Sequence, residues 1–117
     1  MAAGSRAIGD RIEQLAENFL VEQGLCLWQR NFSTRHGEID RIFWHASTLV
    51  FVEVRYRRST QWGSGGESVT PAKQRKLRQA AELFLQRHFT GEPPACRFDV
   101  ISASGDPVPL EWLSDAF

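Results

Sequence analysis

Residues 37–57, GEIDRIFWHASTLVFVEVRYR, carry carboxylates where an apolar strand does not ordinarily hold them. Glu38 and Asp40 lie among aliphatic and aromatic residues, and Glu53 follows directly on Leu49-Val50-Phe51-Val52. A charged group in such a run requires a partner, a metal ion or a chemical task. Hard divalent cations bind through one or two carboxylates completed by water and phosphate oxygens, so Asp40 and Glu53 are candidate ligands for Mg²⁺ or Mn²⁺. Arg55, two residues beyond Glu53, adds a fixed positive charge to the same strand.

Two strands and a tight turn must position these groups. Residues 37–44 and 48–57 are rich in β-branched, aromatic and aliphatic side chains, and the short, weakly polar segment between them predicts a hairpin. Alternate residues of a strand share a face. Glu38, Asp40 and Ile42 then point one way on the first strand. On the second, Leu49, Phe51, Glu53, Arg55 and Arg57 share one face and Val50, Val52, Val54 and Tyr56 the other. A turn centred on Ala46-Ser47 pairs residues whose numbers sum to 93, setting Asp40 opposite Glu53 and Glu38 opposite Arg55. Directly opposed side chains have Cβ atoms roughly 5 Å apart, and two carboxylates that close repel unless a cation lies between them. A slip of one residue would separate the two faces, so the site depends on register.

Asp40 followed by Glu53-Val54-Arg55 at the end of an apolar strand resembles the PD-(D/E)xK nuclease signature. More specifically, the chain resembles the YraN family of small bacterial nuclease-like proteins, distantly related to archaeal Holliday-junction resolvases. The matching segments are GDRIEQLAENFL at 9–20, RHGEID at 35–40, LVFVEVRYR at 49–57, VTPAKQRKL at 69–77, RFDVI at 97–101 and EWLSDAF at 111–117. The resemblance implies an α/β fold of the restriction-endonuclease-like type, a mixed sheet in αβββαβ order flanked by helices. It implies a metal held by Asp40 and Glu53, with Glu13 of the first helix as a further ligand or water-positioning group. It also matches Lys73 to the family's lysine in the second helix. The common motif ends in lysine where this chain has Arg55, and arginine keeps its proton and cannot serve as a base.

A chain of 117 residues is long enough for one domain, 1–117, with a modest core. Its hydrophobic content of 42% is that of an ordinary globular protein, and no apolar run is long enough to cross a membrane. The N-terminal residues lack the apolar core of a signal peptide, so a cytoplasmic location and no membrane partner are expected. The formal net charge of zero argues against a nonspecific nucleic-acid coat protein. The distribution is less even. Seven basic residues and one acid lie between Arg55 and Arg78, whereas 10–22 holds four acids and one arginine. Such a local basic surface suits a phosphate backbone, and equally a solvated helix face. Cys26 and Cys96 have no ligand spacing and are expected as buried, reduced thiols.

Helical spacing of Ile8, Ile12, Leu15, Ala16, Phe19 and Leu20 predicts a helix over 6–24, with Ser5 as N-cap and Gly24 as the stop. Glu13 there reads equally as a favourable charge in the first helical turns. Residues 25–32 have strand character, and 33–37 form a turn whose Arg35 and His36 read as surface residues, with contact to phosphate as the alternative. After the hairpin, 57–68 carries three glycines and no periodicity and reads as a mobile loop beside the site, with Trp62 at its tip. Thr70-Pro71 caps a second helix whose apolar stripe is Leu77, Ala80, Ala81, Phe84 and Leu85. Residues 97–101 return as a strand, with Asp99 expected to pair with Arg97 or another arginine. Leu110, Trp112, Leu113 and Phe117 are expected to cap the core or join a homodimer contact.

Three functions fit these residues. The first is a Mg²⁺- or Mn²⁺-dependent endonuclease acting on DNA, including branched or flap forms, with Asp40, Glu53, Arg55 and Glu13 at the reacting phosphate and Arg57, Arg58, Lys73 and Lys76 on the backbone. The second is a nucleic-acid-binding module without cleavage. The third is a structural or adaptor protein whose carboxylates and arginines satisfy one another, as a Glu38–Arg55 pair would.

Overall fold

The protein is described by a computed structural model covering residues 5–57, 69–104 and 109–117. The order is α1 (Ser5–Glu22), β1 (Cys26–Ser33), β2 (Glu38–His45), β3 (Thr48–Arg57), α2 (Pro71–His88), β4 (Cys96–Ser104) and β5 (Leu110–Leu113). The terminal segment expected to cap the core contains a fifth strand, which extends the expected αβββαβ order. The sheet runs β1-β2-β3-β4-β5; all neighbours are antiparallel except the parallel pair β3 and β4, which α2 connects. Such a crossover needs an intervening helix, which covers a sheet face.

Each helix buries its apolar stripe on an opposite face of the sheet. Leu77, Ala80, Ala81 and Phe84 of α2 pack with Phe32, Ile39, Ile42, Leu49, Phe51 and Val100. Ala16 and Leu20 of α1 pack with Leu25, Phe43, Val50, Val52 and Ile101. Both helix ends are determined locally. Gly24, at φ 97°, closes α1: its N–H donates to the Val21 carbonyl and the Leu25 N–H to the Leu20 carbonyl. Thr70 Oγ1 accepts from Lys73 N at 3.1 Å, with Pro71 in the first helical turn.

The β2–β3 register is the expected one, from His45↔Thr48 to Arg41↔Val52. Alternation fails beyond it. Ile39 and Ile42, three residues apart, belong to the same apolar cluster, while Arg41 turns to α1. In the neighbouring β1, Asn31 adopts a left-handed φ of 51°, and Phe32 joins the same cluster as its partner Ile39. The expectation that Glu38, Asp40 and Ile42 share a face is therefore corrected at Glu38. Glu38 does not meet Arg55; its carboxylate accepts from Ser33 Oγ at 3.0 Å. It lines a polar cavity with Arg6, Asp10, Glu13 and Asn31 on the α1 side.

The cysteines also differ from expectation. Cys26 and Cys96 are free but exposed, because each is the first residue of its strand, where the chain enters the sheet from a loop. Among the described residues no helix is long and apolar enough to cross a membrane.

Candidate metal centre

Beyond Arg41↔Val52 the strands β2 and β3 part, and the Asp40 side chain enters the gap. Its Oδ2 accepts from Val54 N at 2.8 Å, taking a backbone donor of β3. This contact brings Asp40 to the residue next to Glu53. The two carboxylates are close enough that Glu53 is the charged neighbour that most raises the Asp40 pKa. Burial is the larger cause, and together they lift it from an ordinary 3.8 to about 8. The Val54 N–H opposes the shift. The pair therefore retains a proton at neutral pH, and a divalent cation is the natural replacement for it.

Glu53 is 7% exposed, and its buried Oε2 has no hydrogen-bond partner among the described residues. The Lys73 ammonium lies 3.4 Å from this oxygen, an ion-pair separation without hydrogen-bond alignment. A desolvated carboxylate oxygen in that condition is costly in a purely structural role and suits coordination of a cation. Asp40 and Glu53 supply hard oxygen donors, and two carboxylates suffice for Mg²⁺ or Mn²⁺ when water and phosphate complete the shell. The donor set fits the implied metal.

The other expected site residues divide. Lys73 is brought to Glu53 from the first turn of α2. Arg55 is half-buried on β3, where alternation puts it on the Glu53 face. Lys76 is exposed one turn beyond Lys73, and the β1–β2 turn lies against it: a Cβ on Gly37 would stand 3.6 Å from the Lys76 Cβ. Arg57 ends β3, but its side chain, Arg58 and the rest of the 58–68 segment with Trp62 lie outside the described residues.

Glu13 is near Asp40 without joining it. Its carboxylate accepts from Arg41 Nη1 at 3.0 Å, and among the described residues no set of three ligand side chains surrounds one point. Burial and the Asp40 charge push its pKa up, against the pull of Arg41. Arg41 and Glu17 are not among the site residues expected from sequence, where the family pattern selects Glu13 over Glu17. Arg41 is 4% exposed, and its Nε donates to Glu17 Oε1 at 2.8 Å. Arg30 grips the same carboxylate with two bonds of 2.7 and 2.8 Å, chiefly responsible for a Glu17 pKa near 2. The available signal was an arginine between Ile39 and Ile42, with two glutamates four residues apart on α1 to receive it.

Asp99 is fully buried and accepts from Arg97, from Trp112 Nε1 at 3.0 Å and from Asp115 N at 2.9 Å. It pairs with Arg97, as expected, and anchors the C-terminal segment.

Comparison with known proteins adds the relationship. Residues 12–103 match the family model described as "Uncharacterised protein family UPF0102". A UPF0102 protein of Stutzerimonas stutzeri is 48% identical over 115 residues, covering 97% of this chain and 96% of its own. One from Xanthomonas euvesicatoria is 45% identical over 117 residues, covering 100% and 96%, and one from Vibrio vulnificus is 43% identical over 112 residues, covering 95% and 92%. Over nearly its whole length, this chain belongs to the UPF0102 family, the YraN proteins it resembles in sequence.

Proposed function

We propose that this protein is a divalent-cation-dependent phosphodiesterase acting on DNA, with branched and flap structures as the expected substrates. The observation that carries the reading is the Asp40–Glu53 pair: two adjacent buried carboxylates, Asp40 bound to the backbone beside Glu53, and Glu53 with a buried oxygen that has no hydrogen-bond partner among the described residues. A self-satisfying structural cluster would pair that oxygen. The Glu38–Arg55 pair on which a structural reading leaned is absent, because Glu38 is held by Ser33 on the α1 side.

Asp40 and Glu53 would hold the cation. When bound, it would supply Lewis-acid polarisation of a phosphoryl oxygen and a lowered pKa for a coordinated water. The Val54 N–H orients Asp40, and the Lys73 ammonium balances part of the charge on Glu53. Arg55 donates to the phosphate and offsets the negative charge that develops there; it neither takes nor gives a proton. Lys76, with Arg35 and His36 on the adjoining turn, extends the basic surface along which a phosphate backbone would run. Arg55 in the lysine position also favours a second reading, a DNA-binding module without turnover.

Assays on duplex, single-stranded and junction DNA with Mg²⁺ or Mn²⁺ test this. Cleavage by the wild type that disappears in Asp40→Asn and Glu53→Gln is the expected result. Arg55→Ala should lower turnover by about 10²–10³ while changing the salt slope of DNA binding by only about one unit. Arg55→Lys should keep or improve turnover. Salt-dependent DNA binding with no cleavage of any substrate would select the second reading. Undiminished cleavage by Asp40→Asn would sink the first.

A further inference from the structure

Four charged side chains behind Asp40 form an arrangement that the proposed chemistry does not use. Arg41 is buried between α1 and the sheet, with Nε on Glu17 Oε1 at 2.8 Å and Nη1 on Glu13 Oε1 at 3.0 Å and on the Asp40 carbonyl at 2.8 Å. Nη1 carries two protons, and these two acceptors use both. The Asn31 side chain agrees: turned so that its amide nitrogen donates, it reaches Glu13 Oε1 at 3.0 Å and Glu38 Oε1 at 3.2 Å and no longer offers Nη1 a third acceptor.

Charge balance assigns Glu13 to this group. Arg30 grips both Glu17 oxygens, so Arg30 neutralises Glu17. Buried Arg41 then needs a second carboxylate, and Glu13 supplies it. The four groups sum to zero and have no charge left for a cation. Among the described residues, Lys73 is the cation in ion-pair contact with Asp40 and Glu53, which when ionised outnumber it by one charge.

We propose that Arg41 is a positioning residue that withholds Glu13 from the metal and holds the Asp40 backbone in place, leaving a site of two carboxylates. The inference rests on the metal reading above but assigns Glu13 differently from the family resemblance. Removal of Arg41 frees a carboxylate that lies within electrostatic reach of Asp40, and Glu13 then becomes a third ligand.

Mn²⁺ titration calorimetry on the DNA-free protein tests this. Glu13→Gln should leave Mn²⁺ affinity within about twofold of wild type, and Arg41→Leu should tighten it by about tenfold or more, the scale of effects that groups behind metal ligands exert. The double variant should return to the wild-type value. A weakening of about tenfold by Glu13→Gln alone would show that Glu13 is already a ligand and would overturn the proposal. This arm holds even if Arg41→Leu does not fold. A tightening that persists in the double variant would reflect only the lost positive charge and would also overturn it. Asp40→Asn separates the two inferences. If it abolishes Mn²⁺ binding while Glu13→Gln weakens it, only the Arg41 role fails. If Asp40→Asn leaves binding unchanged, or neither wild type nor Arg41→Leu takes up Mn²⁺, the metal reading fails and the Arg41 role with it.

Discussion

Asp40 is held by two opposing influences: a backbone donor favours its charge, and burial together with the neighbouring Glu53 carboxylate disfavours it. The second wins, and the group titrates at about 8 when folded against 3.8 ordinarily. The native state therefore binds a proton that the unfolded chain does not, and stability falls as pH rises from about 4 to about 8. Without divalent cations, the unfolding midpoint should decline over that window, and Asp40→Asn should remove the decline and be the more stable protein at pH 8. Saturating Mg²⁺ or Mn²⁺ should raise the wild-type midpoint most at the alkaline end, where no proton competes. Glu17 acts with the opposite sign. Its pKa of about 2 is depressed by Arg30, so its contribution is present above an ordinary 4.5 and is lost as pH falls toward 2. Thermal melts of wild type, Asp40→Asn and Glu17→Gln across pH 2–9 separate the two windows. A wild-type midpoint that rises from pH 4 to 8 would contradict the Asp40 account.

At the scale of elements, α2 brings lysine to a β-sheet site. Thr70 stops the helix from fraying by accepting from Lys73 N, so the cap and the lysine that reaches Glu53 meet at one residue. Thr70→Ala should cost about 1 kcal/mol in urea denaturation. It should also weaken DNA binding or turnover by more than Arg87→Ala, a substitution at the far end of the same helix where the guanidinium lies over Phe32. Equal effects of the two would separate the cap from the site. These helix ends were legible because their signals are local: Thr-Pro opens α2, and a glycine at positive φ closes α1. The hairpin register was legible for a related reason, since burial of Leu49, Phe51 and Ile42 on one face tolerates no one-residue slip.

Across the whole molecule, Asp99 ties the C-terminal segment to the sheet. Its buried carboxylate joins β4 to Trp112 and Asp115, and Arg97 continues the chain of contacts to His45 Nδ1 at the hairpin turn, 2.9 Å away. Phe117 then stacks on Phe98 at 5.0 Å, with Arg78 of α2 over both rings. Asp99→Ala leaves a guanidinium, an indole N–H and a backbone N–H without their acceptor. It should lower stability by roughly 3–5 kcal/mol while the folded protein keeps its Mn²⁺ affinity, because Asp99 serves neither Asp40 nor Glu53. Urea unfolding and calorimetry on the same preparation check both halves.

The sequence by itself determined both helices, the central hairpin with its register, and Asp40 and Glu53 as the residues to pair. Each follows from periodicity, capping residues or turn position, which act over a few neighbouring residues. Only the tertiary structure decided which charges meet. Glu38 turns to α1 because β1 and β2 change face near Asn31 and Ile39, a switch that strict alternation does not contain. Arg41 captures Glu13 and Glu17 across 28 and 24 residues of chain, and Lys73 reaches back 20 residues to Glu53. A carboxylate's partner depends on which side chains share its desolvated space. That is settled when α1 and α2 close on opposite faces of the sheet.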